Sequence, residues 1–310
     1  MSLQVEKLKM YYQSVRGDIK AVDGIDLRVD KGRAVGLAGE SGSGKTSVAL
    51  TVLRLLPSNA RVMDGTITFD GQNVLTMDEE RFRKEIRWKK ISMIFQGAMN
   101  ALHPIYTIGD QICEAIRTHE NVRKKVAFKR AEKLLDLVGI GAERINRYPH
   151  ELSGGMKQRA IIAMALACNP DLVIADEPTT ALDVIIQAQI LGAIRELQQK
   201  LHLSMLLITH DLSIIAQTCD ECAIMYAGKI VETGAVNTVL KKPLHPYTQK
   251  LILAFPNILN ERKELALISG STPNLLNPPS GCRFHPRCPY AMELCEKEEP
   301  KLYRSVKDTL

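Results

Sequence analysis

No run of apolar residues in this chain approaches the roughly 18 that cross a bilayer as a helix, so no membrane span of its own is expected. The opening stretch MSLQVEKLKMYY has neither an apolar core nor a small-residue cleavage site, which argues against a secretory signal and makes the cytosol the expected compartment. Cysteine is sparse and odd in number, 7 residues in 310, which favours free or metal-bound thiols over a disulfide framework. A strong charge of one sign is also missing. The net charge is +6, and much of the excess falls in NVRKKVAFKRAEK (121–133), whose helical periodicity marks a solvated helix face. No nucleic-acid partner is expected from it. Aromatic residues make up 5% and apolar residues 45% of the chain, the composition of a globular protein long enough for about two domains.

What is present begins with RAVGLA (33–38), a short apolar run that reads as a strand, and SVALTVLRLL (47–56), which reads as a helix. Between them stands GESGSGKT: Gly39, then Glu40, Ser41, Gly42 and Ser43, then Gly44, Lys45 and Thr46, with Ser47 following. Strand, glycine-rich loop and helix in this order make a phosphate-binding loop. Its glycines let successive N–H groups face one concavity at the positive end of a helix. Lys45 supplies a charge for the β- and γ-phosphates, and the Thr46 hydroxyl is a ligand for Mg²⁺. An ordinary glycine-rich turn is the plainer alternative, and the strand and helix on either side weigh against it.

A second half-site appears in DLVIADEP (171–178). Its four apolar residues read as a buried parallel strand with Asp176 and Glu177 at the carboxyl end, where open α/β sheets bind ligands. Asp176 is placed to hold Mg²⁺ through water, and Glu177 to orient or deprotonate a water attacking the γ-phosphate.

LSGGMKQR (152–159) precedes the helix that leads into that strand. With the two motifs above it makes the chain resemble ABC-type ATPases, whose signature more commonly reads SGGQ. Ser153, Gly154 and Gly155 offer a hydroxyl and close backbone approach at a helix N-terminus, a second phosphate-binding device. The resemblance implies a head-to-tail dimer with ATP between the P-loop of one subunit and the signature of the other. It implies that Gln96 in MIFQ contacts Mg²⁺ and the water, that Asp183 in TTALD lies in the loop crossing the dimer interface, and that His210 in LLITHD stands near the γ-phosphate. It also implies an aromatic stacked on adenine, for which Tyr12 in LKMYY fits the spacing better than Tyr11.

The fold implied is α/β, a P-loop NTPase (RecA-like) core with an antiparallel β subdomain, an inserted helical subdomain and a small C-terminal extension. The expected division is 1–96 with 156–235 as ATP-binding core, 97–155 as helical signature subdomain and 236–310 as extension. AFKRAEKLLDLVGI supports the helical insert, with Ala127, Ala131, Leu134, Leu135 and Val138 at helical spacing.

The extension contains KKPLHPYTQKLI (241–252) and NPPSGCRFHPRCPYA (277–291), which resemble the C-terminal region of oligopeptide and dipeptide importer ATPases. That resemblance implies separate integral-membrane permeases, a second ATPase subunit identical or paralogous, a periplasmic or extracellular substrate-binding protein, and a place at the inner face of the membrane. Peptides are the implied cargo, with nickel or related solutes as the minority alternative. A metal-cluster sensor with secondary ATPase activity is the competing class. It draws on Cys282, Cys288 and Cys295, separated by five and six residues. Soft thiolates suit iron–sulfur clusters or zinc, and the resemblance implies a four-cysteine [4Fe–4S] site here, with zinc next. No cysteine follows Cys295 in this sequence, so either the sequence stops short of the fourth ligand, or another group such as His285 or Cys222 completes the site, or no cluster forms.

Overall fold

The computed structural model describes residues 2–180, 182–254 and 270–303, so parts of the expected 236–310 extension lie outside the described residues. Among the described residues ten strands form two sheets. They are β1 (Leu3–Ser14), β2 (Gly17–Val29), β3 (Ala34–Ala38), β4 (Ala60–Phe69), β5 (Gln72–Asn73), β6 (Ile91–Ile94), β7 (Leu172–Asp176), β8 (Ser204–Thr209), β9 (Glu221–Tyr226) and β10 (Lys229–Ala235). One sheet is antiparallel with order β2-β1-β4-β5; the other has order β10-β9-β3-β8-β7-β6 and is parallel except where β10 meets β9.

Every residue of β3, β7 and β8 is buried, which is why these strands read as continuous apolar runs rather than alternating ones. The period of two divides each between two cores. Ala34, Ala38, Val173, Ala175, Met205 and Leu207 face the helices, whereas Val35, Leu37, Leu172, Ile174, Leu206 and Ile208 face the antiparallel sheet. Leu207 is fully buried in the first of these. Leu207→Ala should lower the unfolding free energy by about 2–5 kcal/mol, read from the urea midpoint at unchanged m.

The helix after the P-loop spans Lys45–Val52, four residues short of the expected end. Arg54 takes a left-handed φ of 54° and Pro57 follows, so the chain leaves the helix there. Helix Lys124–Leu137 buries Ala127, Ala131, Leu134 and Leu135, with Val138 buried just beyond it, while Lys124, Lys125 and Lys129 face solvent as the periodicity predicts. Its neighbour, Ile108–His119, starts at Thr107, whose side chain accepts from Asp110 N.

The extension is packed on the cassette. His245 caps helix Pro246–Leu253 by accepting from Tyr247 N, with Pro at the first helical turn. Tyr247 and Phe284 are buried against Tyr226 at the end of β9, ring centroids 4.6 and 5.2 Å from it. No helix among the described residues is long and apolar enough to cross a membrane.

Candidate nucleotide site

Four motifs end on four neighbouring parallel strands. The P-loop follows β3, His210 follows β8, Asp176 ends β7 with Glu177 next, and Gln96 lies just beyond β6. The register sets Ala38 level with Thr209, Ile208 with Asp176, and Ala175 with Ile94. Their carboxyl ends therefore form one edge, the usual ligand edge of such sheets.

Within the P-loop a Cβ on Gly39 or Gly44 would stand 2.0 Å from a backbone oxygen, that of Met225 or Ala21, and both residues have positive φ. Only glycine fits there. At Gly42 a Cβ would meet nothing, so the tip opens outward. Ser41, Gly42 and Thr46 are exposed, while Ser43 and Ser47 are buried. Lys45 is 7% exposed, and its Nζ donates to Gly39 O (2.8 Å), Glu40 O (2.9 Å) and Ser43 Oγ (3.3 Å). Burial pushes its pKa down, and the nearby carboxylates of Glu177, Asp176 and Glu40 oppose that shift. A cation held only by neutral oxygens gains from a charged phosphate acceptor, because charge-assisted bonds are the stronger ones. The Tyr12 hydroxyl lies 3.0 Å from Ser47 Oγ on the P-loop helix, whereas Tyr11 donates instead to Asp23 Oδ1 at 2.5 Å.

Asp176 is 1% exposed, and neither carboxylate oxygen has a hydrogen-bond partner. Burial pushes its pKa up. The Thr46 hydroxyl stands near enough to favour the charged form without closing a bond on either oxygen, Glu177 reinforces the rise, and Lys45 opposes it. A buried carboxylate with two orphaned oxygens is costly unless a cation satisfies it. The residues therefore fit Mg²⁺, with Asp176, Thr46 and Gln96 as the groups that would hold it. The ion's chemistry there is to neutralise charge on the phosphate oxygens.

Glu177 collects the other motifs. Gln96 Nε2 donates to its Oε2 at 2.8 Å, His210 Nδ1 lies 2.9 Å from its Oε1, and Thr180 Oγ1 donates to Oε2 at 3.2 Å. The Glu177 backbone is held at a φ of 46° by its N–H bond to Ile208 O, which aims the side chain off the strand end. His210 remains accessible at 66% side-chain exposure. Thr180 went unassigned in the sequence, although its position three residues after Glu177 is the spacing of a local hydroxyl contact.

The signature makes its own set of contacts. Ser153 caps its own helix, Gly154–Ala165, its Oγ accepting from Met156 N at 3.3 Å. A Cβ on Gly155 would lie 2.7 Å from Ile186, and one on Gly154 3.4 Å from Leu182, so the signature packs on the loop of Asp183. Asp183 caps helix Val184–Lys200, accepting from Ile186 N at 2.9 Å. Ser153 and Gly154 are exposed, while Gly155 is buried.

The tail cysteines come together in the extension. They are neighbours: Cys282 N donates to Cys295 O at 2.8 Å, and burial first, then the thiols of Cys295 and Cys288, push the Cys282 pKa up. Yet among the described residues no group of three or more His, Cys, Asp or Glu is arranged to hold a metal ion, so the expected [4Fe–4S] or zinc centre is not supported. The two fourth-ligand candidates are placed differently. Cys222 is fully buried in β9 with its pKa pushed up to about 12 by desolvation, and His285 Nδ1 is bonded to Cys282 O.

Comparison with known proteins agrees with this geometry. Residues 22–180 match the family model described as ABC transporter, and residues 231–295 match that of the oligopeptide/dipeptide transporter C-terminal region. The chain is 47% identical over 303 residues to the oligopeptide transport ATP-binding protein AppD of Bacillus subtilis, covering 97% of this chain and 92% of that protein. It is 45% identical over 302 residues to the dipeptide transport ATP-binding protein DppD of Escherichia coli, with the same coverages. Among solved structures it superimposes on the dimeric ATP-binding cassette MJ0796 bound to ADP and Pi with a TM-score of 0.67, at 25% identity, over 76% of this chain and 98% of that one. For CbiO1 from Clostridium perfringens, part of the cbiONQ ABC transporter complex, the TM-score is 0.68 at 25% identity, over 77% and 90%. The fold is therefore that of ABC cassettes, the site is that of an ATPase, and the chain belongs to the ABC transporter family, in the group that carries the oligopeptide/dipeptide transporter C-terminal region.

Proposed function

We propose that this chain is the ATP-hydrolysing subunit of an importer of di- and oligopeptides. The convergence of Gln96, Thr180 and His210 on Glu177 beside the P-loop carries the chemical part of the reading. The names of AppD and DppD supply the cargo class. In this reading Mg-ATP binds the P-loop, Tyr12 stacks on adenine, and Asp176 with Thr46 and Gln96 holds the ion. Glu177 orients and deprotonates water, His210 contacts the γ-phosphate, and catalysis is positioning plus charge neutralisation.

Ser153, Gly154 and Gly155 complete the site of a second ATPase subunit, with Asp183 at the shared interface, which accounts for the exposure of Ser153 and Gly154. The partners are integral-membrane permeases, reached from the cytoplasmic face, and a periplasmic or extracellular binding protein that delivers cargo to them. The division into core (1–96 and 156–235), helical subdomain (97–155) and extension (236–310) is read the same way. Reconstitution with its permeases is expected to raise the ATPase rate of this chain; a rate indifferent to them would contradict the reading.

The extension packs on the cassette, and Cys282, Cys288 and Cys295 are read as ligands of a [4Fe–4S] cluster, with zinc next, because soft thiolates suit both. Iron and sulfide analysis of protein purified without oxygen is expected to find both, and finding neither element would remove the cluster and leave the extension as a packing element.

A further inference from the structure

The extension grips the P-loop itself. Glu40, inside GESGSGKT, donates its N–H to the Tyr247 hydroxyl at 2.9 Å. Its carboxylate receives a two-pronged contact from Arg287, Nη1 to Oε2 at 2.9 Å and Nη2 to Oε1 at 3.1 Å. Arg287 Nη1 also donates to the Tyr226 hydroxyl at 3.2 Å, and the Lys250 ammonium holds the Arg287 carbonyl at 3.2 Å. The Arg287 side chain is 8% and that of Glu40 20% exposed, so the fork is largely withdrawn from water, where paired charges are firm and a lone one is costly. A second tie runs alongside it: Arg283 donates to Asp23 and to Ala227 O, and the next residue, Gly228, donates its N–H to Ser43 O at 2.9 Å.

The position of Glu40 gives this contact its consequence. The carbonyls of Gly39 and Glu40 are the ones that hold Lys45, so whatever fixes Glu40 fixes the lysine's cradle. The carboxylate of Glu40 also sits in a loop built to receive anions, and Arg287 neutralises it there.

We propose that Arg287 and Tyr247 are positioning residues for nucleotide, holding the P-loop through Glu40 so that the C-terminal extension sets the affinity of the cassette for ATP. This rests on ATP binding by the P-loop. The test is steady-state ATPase kinetics of the full chain, with a fluorescent ATP analogue to follow binding. Arg287→Ala should raise KM for ATP by about tenfold with kcat changed less than about twofold, the loss of a charge-assisted fork appearing in binding rather than in the chemical step. Adding Glu40→Gln should raise KM no further, because the two residues act as one unit. Arg287→Lys, which keeps the charge and loses the fork, should fall between. Tyr247→Phe should raise KM by about threefold, leaving the Glu40 N–H without its acceptor. If Arg287→Ala fails to fold, the lysine and phenylalanine variants carry the same readout. A folded Arg287→Ala with unchanged KM, or losses at Glu40 and Arg287 that multiply, would overturn the proposal. A parental chain that bound no ATP analogue would instead overturn the ATPase reading beneath it.

Discussion

Glu177→Gln is expected to cut ATP hydrolysis by about 10²–10⁴-fold while leaving ATP binding within about threefold of the parental chain, the range that positioned general-base residues supply. The substitution keeps the shape of the side chain and removes its capacity to take a proton. Three groups hold the parental carboxylate in place, Gln96 and Thr180 on Oε2 and His210 on Oε1. Glutamine offers one oxygen and one NH₂ where glutamate offers two acceptors, so at least one of those partners faces a donor. Binding is spared because Lys45 and the loop N–H groups lie on a different strand end. Single-turnover hydrolysis alongside analogue binding separates the two effects. A Glu177→Gln chain that hydrolysed ATP at the parental rate would remove that residue from the chemistry.

Asp176→Asn is expected to abolish Mg²⁺-dependent hydrolysis and, in Mg²⁺-free buffer at neutral pH, to make the folded chain more stable, because the amide carries no buried charge. The sign follows from the raised pKa of Asp176, caused first by burial. A carboxyl whose folded-state pKa is raised contributes stability that is present below its unfolded titration range and lost as pH rises through the folded value. At neutral pH the ionised group is therefore a burden on the fold, relieved when a cation binds. Parental protein should gain about 2.7 kcal/mol at Mg-ATP one hundred times its Kd, and Asp176→Asn should gain little. Thermal melts with and without Mg-ATP read both halves. A variant less stable than the parent without Mg²⁺, yet still stabilised by Mg-ATP, would contradict this account of the orphaned oxygens.

Much of the site was legible because its chemistry is local. The P-loop, the strand ending at Asp176 and the strand before His210 are contiguous signals, a glycine pattern or an apolar run closed by polar residues. The helix carrying Ala127, Ala131, Leu134 and Leu135 announced itself by period. The choice between Tyr11 and Tyr12 needed coordinates, which send one to Asp23 and the other to Ser47. The helix end at Val52 was missed because a left-handed Arg54 carries no sequence mark. Clustering of cysteines in sequence does correspond to proximity in space, since Cys282 and Cys295 meet through backbone, whereas Cys222 lies in a core strand. Least legible was the contact of Arg287 with Glu40, 247 positions apart, for which no local pattern exists.

The claim that this ATPase energises peptide import is tested most directly by uptake of a labelled dipeptide and a labelled oligopeptide into cells that retain the permeases and binding protein but lack this chain. Restoring the parental chain should restore uptake of at least one of them, and restoring Glu177→Gln should not. Uptake that persisted without the chain, or returned fully with Glu177→Gln, would contradict the account.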